Sequence, residues 1–430
     1  MSKKKIVITI VAHQGYFCPT SIQELSHPEI ELLFTGISDT YIPLLNMFET
    51  LDLEHVKMID ITKKNKNIIP TVEAHKTLCT LLSDYTVQEM YVNWLDKLIL
   101  LGENQINSLE KTDAIYPLVE AELNRVKKGK DDFVNVYKSD LLSAFRYYAD
   151  RGSLELLATA ATAAFLPHYI DLPEAINAQI EAGLHSHRQF FGLVPDGFWL
   201  PAMGYAPGLE EIIKSYGFTY TILDSHGLLF GDPAPRNGIF SPAVCSNGLW
   251  GFGQDYTAEE SIIGSGGFMY NDVYRDQNRD FAFEATDQQL EGFLTENGVR
   301  LPSGYKYWSQ GDEGKIYDRE AALVQVKEDA AAFVKKYEEK LEKASQALES
   351  DDVSILCAFY ARDFGQLWHE GMEWLEQVIR LTAESQEVEL AQCNDFLDSK
   401  KDLQQVNPFM SAATGTGYGE NFLDTKNDWM

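Results

Sequence analysis

Gly197-Phe198-Trp199-Leu200-Pro201-Ala202-Met203-Gly204-Tyr205 opens with a short apolar run, Gly197–Leu200, that reads as a buried strand. Outward from it, similar runs occur at Ile6–Ala12, Glu31–Ile37, Leu154–Ala158, Tyr220–Leu223 and Ser354–Phe359. Several are apolar on both faces, and longer helical patterns separate them. That is the rhythm of parallel βα units whose sheet is covered by helices.

Two long helical regions interrupt the rhythm. Val87, Tyr91, Trp94, Leu98 and Leu101 recur every three or four residues, one stripe of a helix within a helical excursion at about 84–150. Asn124–Asp131 carries four basic residues and is expected to be a solvated connection between helices. From about 318 to 349, Val326, Ala330, Phe333, Tyr337, Leu341, Ala344 and Leu348 share one helical face before Ser350-Asp351-Asp352. The segment Pro408–Met430 contains Phe409, Tyr418, Phe422 and Trp429, too many aromatics for a disordered tail, so it is expected to pack back on the body.

The 430 residues suffice for one large core or a barrel with a smaller attachment. With 65 acidic and 36 basic residues the net charge is -29, which disfavours nucleic acid and anionic membranes as partners and leaves neutral sugar polymers open. Five scattered cysteines without CxxC spacing predict reduced thiols and no metal site. The basic start Lys3-Lys4-Lys5 precedes an apolar run too short and too β-branched for a leader, and no stretch approaches membrane-spanning length. The expected location is cytoplasmic, as a monomer or small homo-oligomer.

The stretch at 197–205 resembles the nucleophile strand of family 57 glycoside hydrolases, the α-glucan branching enzyme and amylase group, which reads Gly-Ile-Trp-Leu-Pro-Glu-Cys-Gly-Tyr. Pro207-Gly208-Leu209 and Asp224-Ser225-His226-Gly227 continue the match, as do Thr40-Tyr41-Ile42-Pro43, Phe165-Leu166-Pro167, Tyr274-Arg275-Asp276 and Gly304-Tyr305-Lys306-Tyr307. The similarity runs in order through nearly the whole chain. It implies an α/β fold: a (β/α)7 barrel over residues 1–385 with the helical insertion at about 84–150. A C-terminal helical segment, 386–430, would pack with its aromatic tail at the barrel mouth. It also implies a retaining mechanism, in which one carboxylate attacks the anomeric carbon and a second protonates the leaving oxygen.

Carried over position by position, both reacting groups are missing. The family's nucleophilic Glu falls on Ala202, and its acid/base Asp falls on Tyr360 within Cys357-Ala358-Phe359-Tyr360-Ala361-Arg362-Asp363. A methyl group cannot form a glycosyl ester, and a phenol is a poor acid at neutral pH. Sugar-stacking tryptophans of the family fall on Ala413, Phe422 and Ile263, and strand-end histidines on Val11 and Ala163, while His13 and Tyr16 remain. The resemblance therefore implies a non-catalytic relative that binds α-glucan or a smaller oligosaccharide and needs no cofactor. Candidate sugar contacts are His13, Tyr16, Tyr205, Asp224, His226, Asp255, Trp308 and Phe422. For Asp224 and His226 a hydrogen-bond brace at a strand end is an equal expectation.

Two competitors stand beside it: a scaffold whose cleft is closed by Tyr360 and its neighbours, and an enzyme using displaced carboxylates drawn from Asp363, Glu370, Asp224 and Asp255. His369-Glu370-Gly371-Met372-Glu373 begins like a zinc HExxH helix but lacks the second His, and packing explains it. Gly264-Ser265-Gly266-Gly267 and Gly415-Thr416-Gly417-Tyr418-Gly419 lack the strand–turn–helix context of phosphate loops. His185 and His187 are expected on a solvated surface.

Overall fold

The computed structural model describes residues 3–15, 28–58, 71–74, 76–192, 194–294, 298–311, 314–399, 402–413 and 416–423. Its strands are β1 (Lys4–Ala12), β2 (Thr71–Ala74), β3 (Leu156–Thr159), β4 (Gly197–Trp199), β5 (Tyr220–Leu223), β6 (Ala243–Val244), β7 (Trp250–Gly253), β8 (Ser354–Tyr360) and β9 (Val388–Leu390). They follow the order β6-β7-β5-β4-β3-β2-β1-β8, with β9 added to β1. Every pairing is parallel except β6 with β7. The fold is α/β, and the seven parallel strands other than β6 and β9 meet the (β/α)7 expectation.

Alternation along each strand sorts side chains into two environments. Val7 and Val11 of β1, Leu157 of β3, Trp199 of β4, Tyr220 and Ile222 of β5, Phe252 of β7, and Leu356 and Ala358 of β8 share one buried cluster. The alternate residues Ile6, Ile8, Ile10, Ile355, Cys357 and Phe359 join the larger cluster made with the helices. Phe252 and Leu356 come from opposite ends of the strand order yet lie in the same cluster. The Asp255 N–H donates to the Leu356 carbonyl at 2.8 Å, beside a parallel bridge between Gln254 and Leu356. The sheet therefore curls around its inner side chains. Each fully buried aliphatic or aromatic side chain there contributes roughly 1.5–3 kcal/mol.

The helical insertion is built of helices Tyr85–Ser108, Tyr116–Asp131 and Leu141–Asp150. Asp84 caps the first by accepting from the Thr86 and Val87 N–H groups, and Val87, Tyr91, Trp94, Leu98 and Leu101 are all buried. Asn124–Asp131 is not a connection but the second half of a helix, whose Leu123 and Val126 are buried while Lys127 and Lys128 face water. The helix Arg319–Leu348 starts at the Asp318 cap and buries Val326, Ala330, Phe333, Tyr337, Leu341 and Ala344.

Three further expectations are corrected. Glu31–Ile37 is helical, within Pro28–Thr35 and the wider turn Gly36–Tyr41, because Ile30, Leu33, Phe34 and Ile37 form one buried helical stripe. His187 is buried beside Phe191, and burial pushes its imidazole down to about 4; His185, two helical residues away, points to solvent as expected. The C-terminal segment divides instead of gathering at the mouth. Val388–Leu390 pairs with Lys4–Ile6 at the start of β1, and Cys393 and Phe396 enter the inner cluster at that end.

The same end holds a buried carboxyl. Glu155, just before β3, accepts a hydrogen bond from the Tyr220 hydroxyl at 2.5 Å and one from the Asn394 N–H at 3.4 Å. Burial outweighs both bonds and pushes the acid up to about 7. Its folded pKa lies above the unfolded value, so the stability it contributes is complete below about 4.5 and is lost as pH rises through 7. Glu155→Gln is expected to hold its urea midpoint between pH 5 and 8 while the parent chain loses a few kcal/mol. Parallel pH profiles for the two would refute this.

Candidate functional site

The β4 strand ends at Trp199, and Pro201–Met203 forms a tight turn at its C-terminal end. Ala202 (φ 52°) and Met203 (φ 49°) are consecutive left-handed residues without being glycine. Such a conformation costs about 1–2 kcal/mol per residue and persists only where the surroundings impose it. Here the C-terminal chain imposes it. Ala413 N–H donates to the Ala202 carbonyl at 2.9 Å, and Tyr205 and Ser411 exchange N–H to carbonyl bonds at 2.8 and 3.1 Å. A backbone glycine is also required nearby, since a Cβ at Gly204 would lie 2.5 Å from the Phe165 ring.

Tyr360, the last residue of β8, pairs in register with Val11 of β1 and packs with Ala413 against the inner cluster. Its N–H donates to the Asp363 carboxylate at 3.2 Å, and the Arg362 guanidinium lies 5.6 Å from its ring centre. The carboxylates at neighbouring strand ends are enclosed: Asp224, Asp255 and Asp363 are 3%, 1% and 1% exposed. Asp224 accepts from the His226 N–H at 3.0 Å, pairs with His226 Nδ1 at 2.8 Å, and accepts from Gln254 at 3.0 Å. Asp255 caps the helix Tyr256–Ile263 and receives bonds from the Tyr337 hydroxyl and Lys340 at 2.9 and 2.5 Å. Both oxygens of each are thus engaged by the protein.

His13 stands exposed at the end of β1, where enclosure by its surroundings and the Arg362 charge lower its basicity. Tyr205 is buried, and its hydroxyl donates to Glu210 at 2.7 Å. Trp308 is not at an end of the parallel sheet. It sits in an irregular segment, with the Arg279 guanidinium 4.1 Å above its ring and its indole N–H 3.3 Å from Glu284. Phe422 stacks on Phe165 with ring centres 4.5 Å apart. Tyr16 lies outside the described residues.

Glu259 and Phe230, which sequence reasoning missed, complete the rim with Phe409 and Tyr418 of the aromatic tail. Glu259 follows Asp255 in the first turn of its helix. Burial pushes its carboxyl up to about 7, the Asp363 and Asp224 charges add to that, and Arg362 opposes it. Position alone, one helical turn beyond a strand end, was the available signal. Phe230 stacks near the His226 ring at 6.0 Å, Tyr418 meets it edge-on at 5.6 Å, and Phe409 lies 6.4 Å from Tyr418. Phe230 and Phe409 are 59% and 50% exposed. Among the described residues no group of His, Cys, Asp or Glu is arranged to hold a metal ion, and none of the described helices is long and apolar enough to cross a membrane.

Polar and aromatic residues collect at the C-terminal ends of the parallel strands, and the sequence profile of Glycosyl hydrolase family 57 matches residues 12–397. The chain belongs to that family. Among curated relatives, the 1,4-alpha-glucan branching enzyme TK1436 of Thermococcus kodakarensis is 24% identical over 82% of this chain and 52% of its own length. The probable 1,4-alpha-glucan branching enzyme MT3115 of Mycobacterium tuberculosis is 24% identical over 81% and 63%. This chain thus spans between half and two thirds of those relatives. Among solved structures, the alpha-amylase AmyC from Thermotoga maritima superposes with a TM-score of 0.88 at 27% identity, covering 96% of this chain and 78% of that one. The TK1436 enzyme in complex with glucose shares the fold with a TM-score of 0.83 at 21% identity, covering 100% and 77%.

Replacing Ala202 by glycine removes the Cβ that opposes a left-handed backbone. Ala202→Gly is expected to raise the unfolding free energy by about 1 kcal/mol in chemical denaturation. An unchanged or lower value would mean that the turn is not strained.

Proposed function

We propose that this family member binds an α-glucan or a shorter oligosaccharide at the barrel mouth without cleaving it. The observation that carries this is the pair Ala202 and Tyr360. They stand at the ends of β4 and β8, the positions where the resemblance puts the two reacting carboxylates. Neither side chain supplies a nucleophile or an acid suited to neutral pH. The sugar class follows from the branching enzymes and the amylase among its relatives. Exposed Phe230 and Phe409, with His226 and Tyr418 between them, offer flat apolar faces that suit the C–H faces of a sugar ring. His13 and Phe422 extend the same rim.

A hydrolase using displaced carboxylates is supported by Glu259 and Asp363, both held closer to neutrality than ordinary acids, at about 7 and about 6. Enclosure weighs against it. Asp224, Asp255, Asp363 and Glu370 are all buried, which leaves Glu259 as a half-buried acid, and a glycosidase needs two reaching opposite sides of the bond. A closed scaffold is supported by Tyr360 and Ala413 packing on the inner cluster. The same reading takes the protein to act in the cytoplasm as a monomer or small homo-oligomer, with α-glucan rather than nucleic acid or membrane as partner. Buried thiols such as Cys245, held at about 12 by burial, accord with a reducing compartment.

Calorimetric titration with maltoheptaose and glycogen, beside paired hydrolysis and branching assays, tests the proposal. Binding without turnover is expected. Phe230→Ala combined with Phe409→Ala should weaken binding several-fold, as loss of aromatic stacking does. Turnover abolished by Glu259→Gln would establish the displaced-carboxylate enzyme instead, and absence of any glucan binding would favour the scaffold.

A further inference from the structure

A cleft of about 630 Å³ opens between the helical insertion, the segment around 303–319 and the helix that begins at Gly371. None of His13, Ala202, Asp224, His226, Asp255 or Tyr360 lines it, so it is separate from the barrel mouth. Its size suits a small organic ligand.

Five cations and five acids line this cleft, in a chain of net charge -29. Arg125, Arg275, Lys306 and Arg319 line it together with His369. Burial and the charges of those same four residues hold the His369 imidazole well below its usual range. The cations are not equally matched. Arg125 donates to Asp39 at 2.7 Å and to Glu122 at 2.5 and 3.0 Å, and Arg319 pairs with Glu373 at 3.1 Å. Arg275 is 5% exposed and has a single side-chain bond, from Nη1 to Glu122 at 3.4 Å; its Nε is buried without an acceptor. Lys306 donates to the neutral Gln277 at 2.9 Å and has no ion pair among the described residues. Burial and the neighbouring Arg275 charge lower its basicity.

The nearby acids are already engaged. Asp39 and Glu122 are held by Arg125, and Asp280 receives the Ser303 and Gly304 N–H groups and the Ser303 hydroxyl. Behind the wall Glu370 accepts from the Arg275 N–H at 3.2 Å and keeps one oxygen unpartnered, while in the lining itself Arg275 and Lys306 are the cations left without a close ion pair. Buried donors without partners are rare enough to need an explanation, and a guanidinium beside an ammonium matches the oxygens of a phosphate. Met47, Trp94, Leu98 and Leu118 supply an apolar wall opposite. The cleft exceeds what a bare oxyanion fills and leaves room for a hexose-sized body.

We propose that this cleft binds a phosphate group, free or carried on a hexose, with Arg275 and Lys306 as its anchors. Calorimetry on the full chain with glucose 6-phosphate, inorganic phosphate and glucose tests it, using Lys306→Gln and the charge-retaining Lys306→Arg. Lys306 is the residue to change because its side-chain hydrogen bond is to the neutral Gln277 rather than to an acid, and circular dichroism checks that each variant is folded. Glucose 6-phosphate is expected to bind and glucose not to. Lys306→Gln should weaken binding by about tenfold or more, and Lys306→Arg should largely retain it. Tighter binding of the ester than of inorganic phosphate supports a sugar phosphate, and equal binding supports free phosphate. Maltoheptaose affinity should be the same in all three proteins. Failure of both phosphate compounds to bind at millimolar concentration, equal binding of glucose, or insensitivity to Lys306→Gln would each overturn the proposal.

Discussion

Burying both faces of β1 is the constraint on which the other elements depend. Its residues alternate between the inner cluster, through Val7 and Val11, and the helix-facing core, through Ile6, Ile8 and Ile10. A strand in that position needs partners on both edges and cover on both faces. β8 fills one edge along most of the strand's length, while β2 and β9 pair with its later and earlier parts. The inner residues can all be dry only if the sheet curls until Phe252 and Leu356 share one cluster. Strand ends then converge at one rim, and that convergence, not any local motif, brings residues 13, 202, 226 and 360 into one region.

Where local pattern and tertiary demand agreed, the sequence could be read directly. β1, β4, β5 and β8 are apolar runs buried on both faces, and the stripe of the helix Arg319–Leu348 appears in its spacing. Glu31–Ile37 misled because a run rich in Leu, Phe and Ile suits either periodicity over so few residues. Asn124–Asp131 misled because most of its basic residues lie toward solvent on a helix whose buried face is carried by Val119, Glu122, Leu123 and Val126. β2 and β7 are four residues each, and the second contains two glycines, so neither stands out from loop. Ala202 and Tyr360 were legible as departures from a family pattern. Phe230, Glu259 and the cleft beside the helical insertion were not, because they assemble residues far apart in the chain, such as Arg125 and Lys306.

The mouth and the cleft differ in how their polar groups are satisfied. At the mouth Asp224 and Asp255 have both oxygens occupied by protein donors, so they stiffen strand ends, and adaptable contact falls to His13, His226 and the exposed rings. In the cleft the acids are occupied and the donors are left over. Each arrangement selects a different ligand chemistry: ring faces for neutral sugar at one, and oxyanion oxygens at the other.

The bonds from Ser411 and Ala413 to the β4 turn have a consequence for biosynthesis. When β8 leaves the ribosome, every strand of the sheet except β9 is present. The wall beside Ala202 is still missing, because it is laid down by residues some fifty positions later. Until then the turn is held by its own bonds, from the Met203 N–H to the Leu200 carbonyl and from the Gly204 N–H to the Pro201 carbonyl. The barrel's inner packing and its rim therefore mature in sequence, and the rim takes its final shape last.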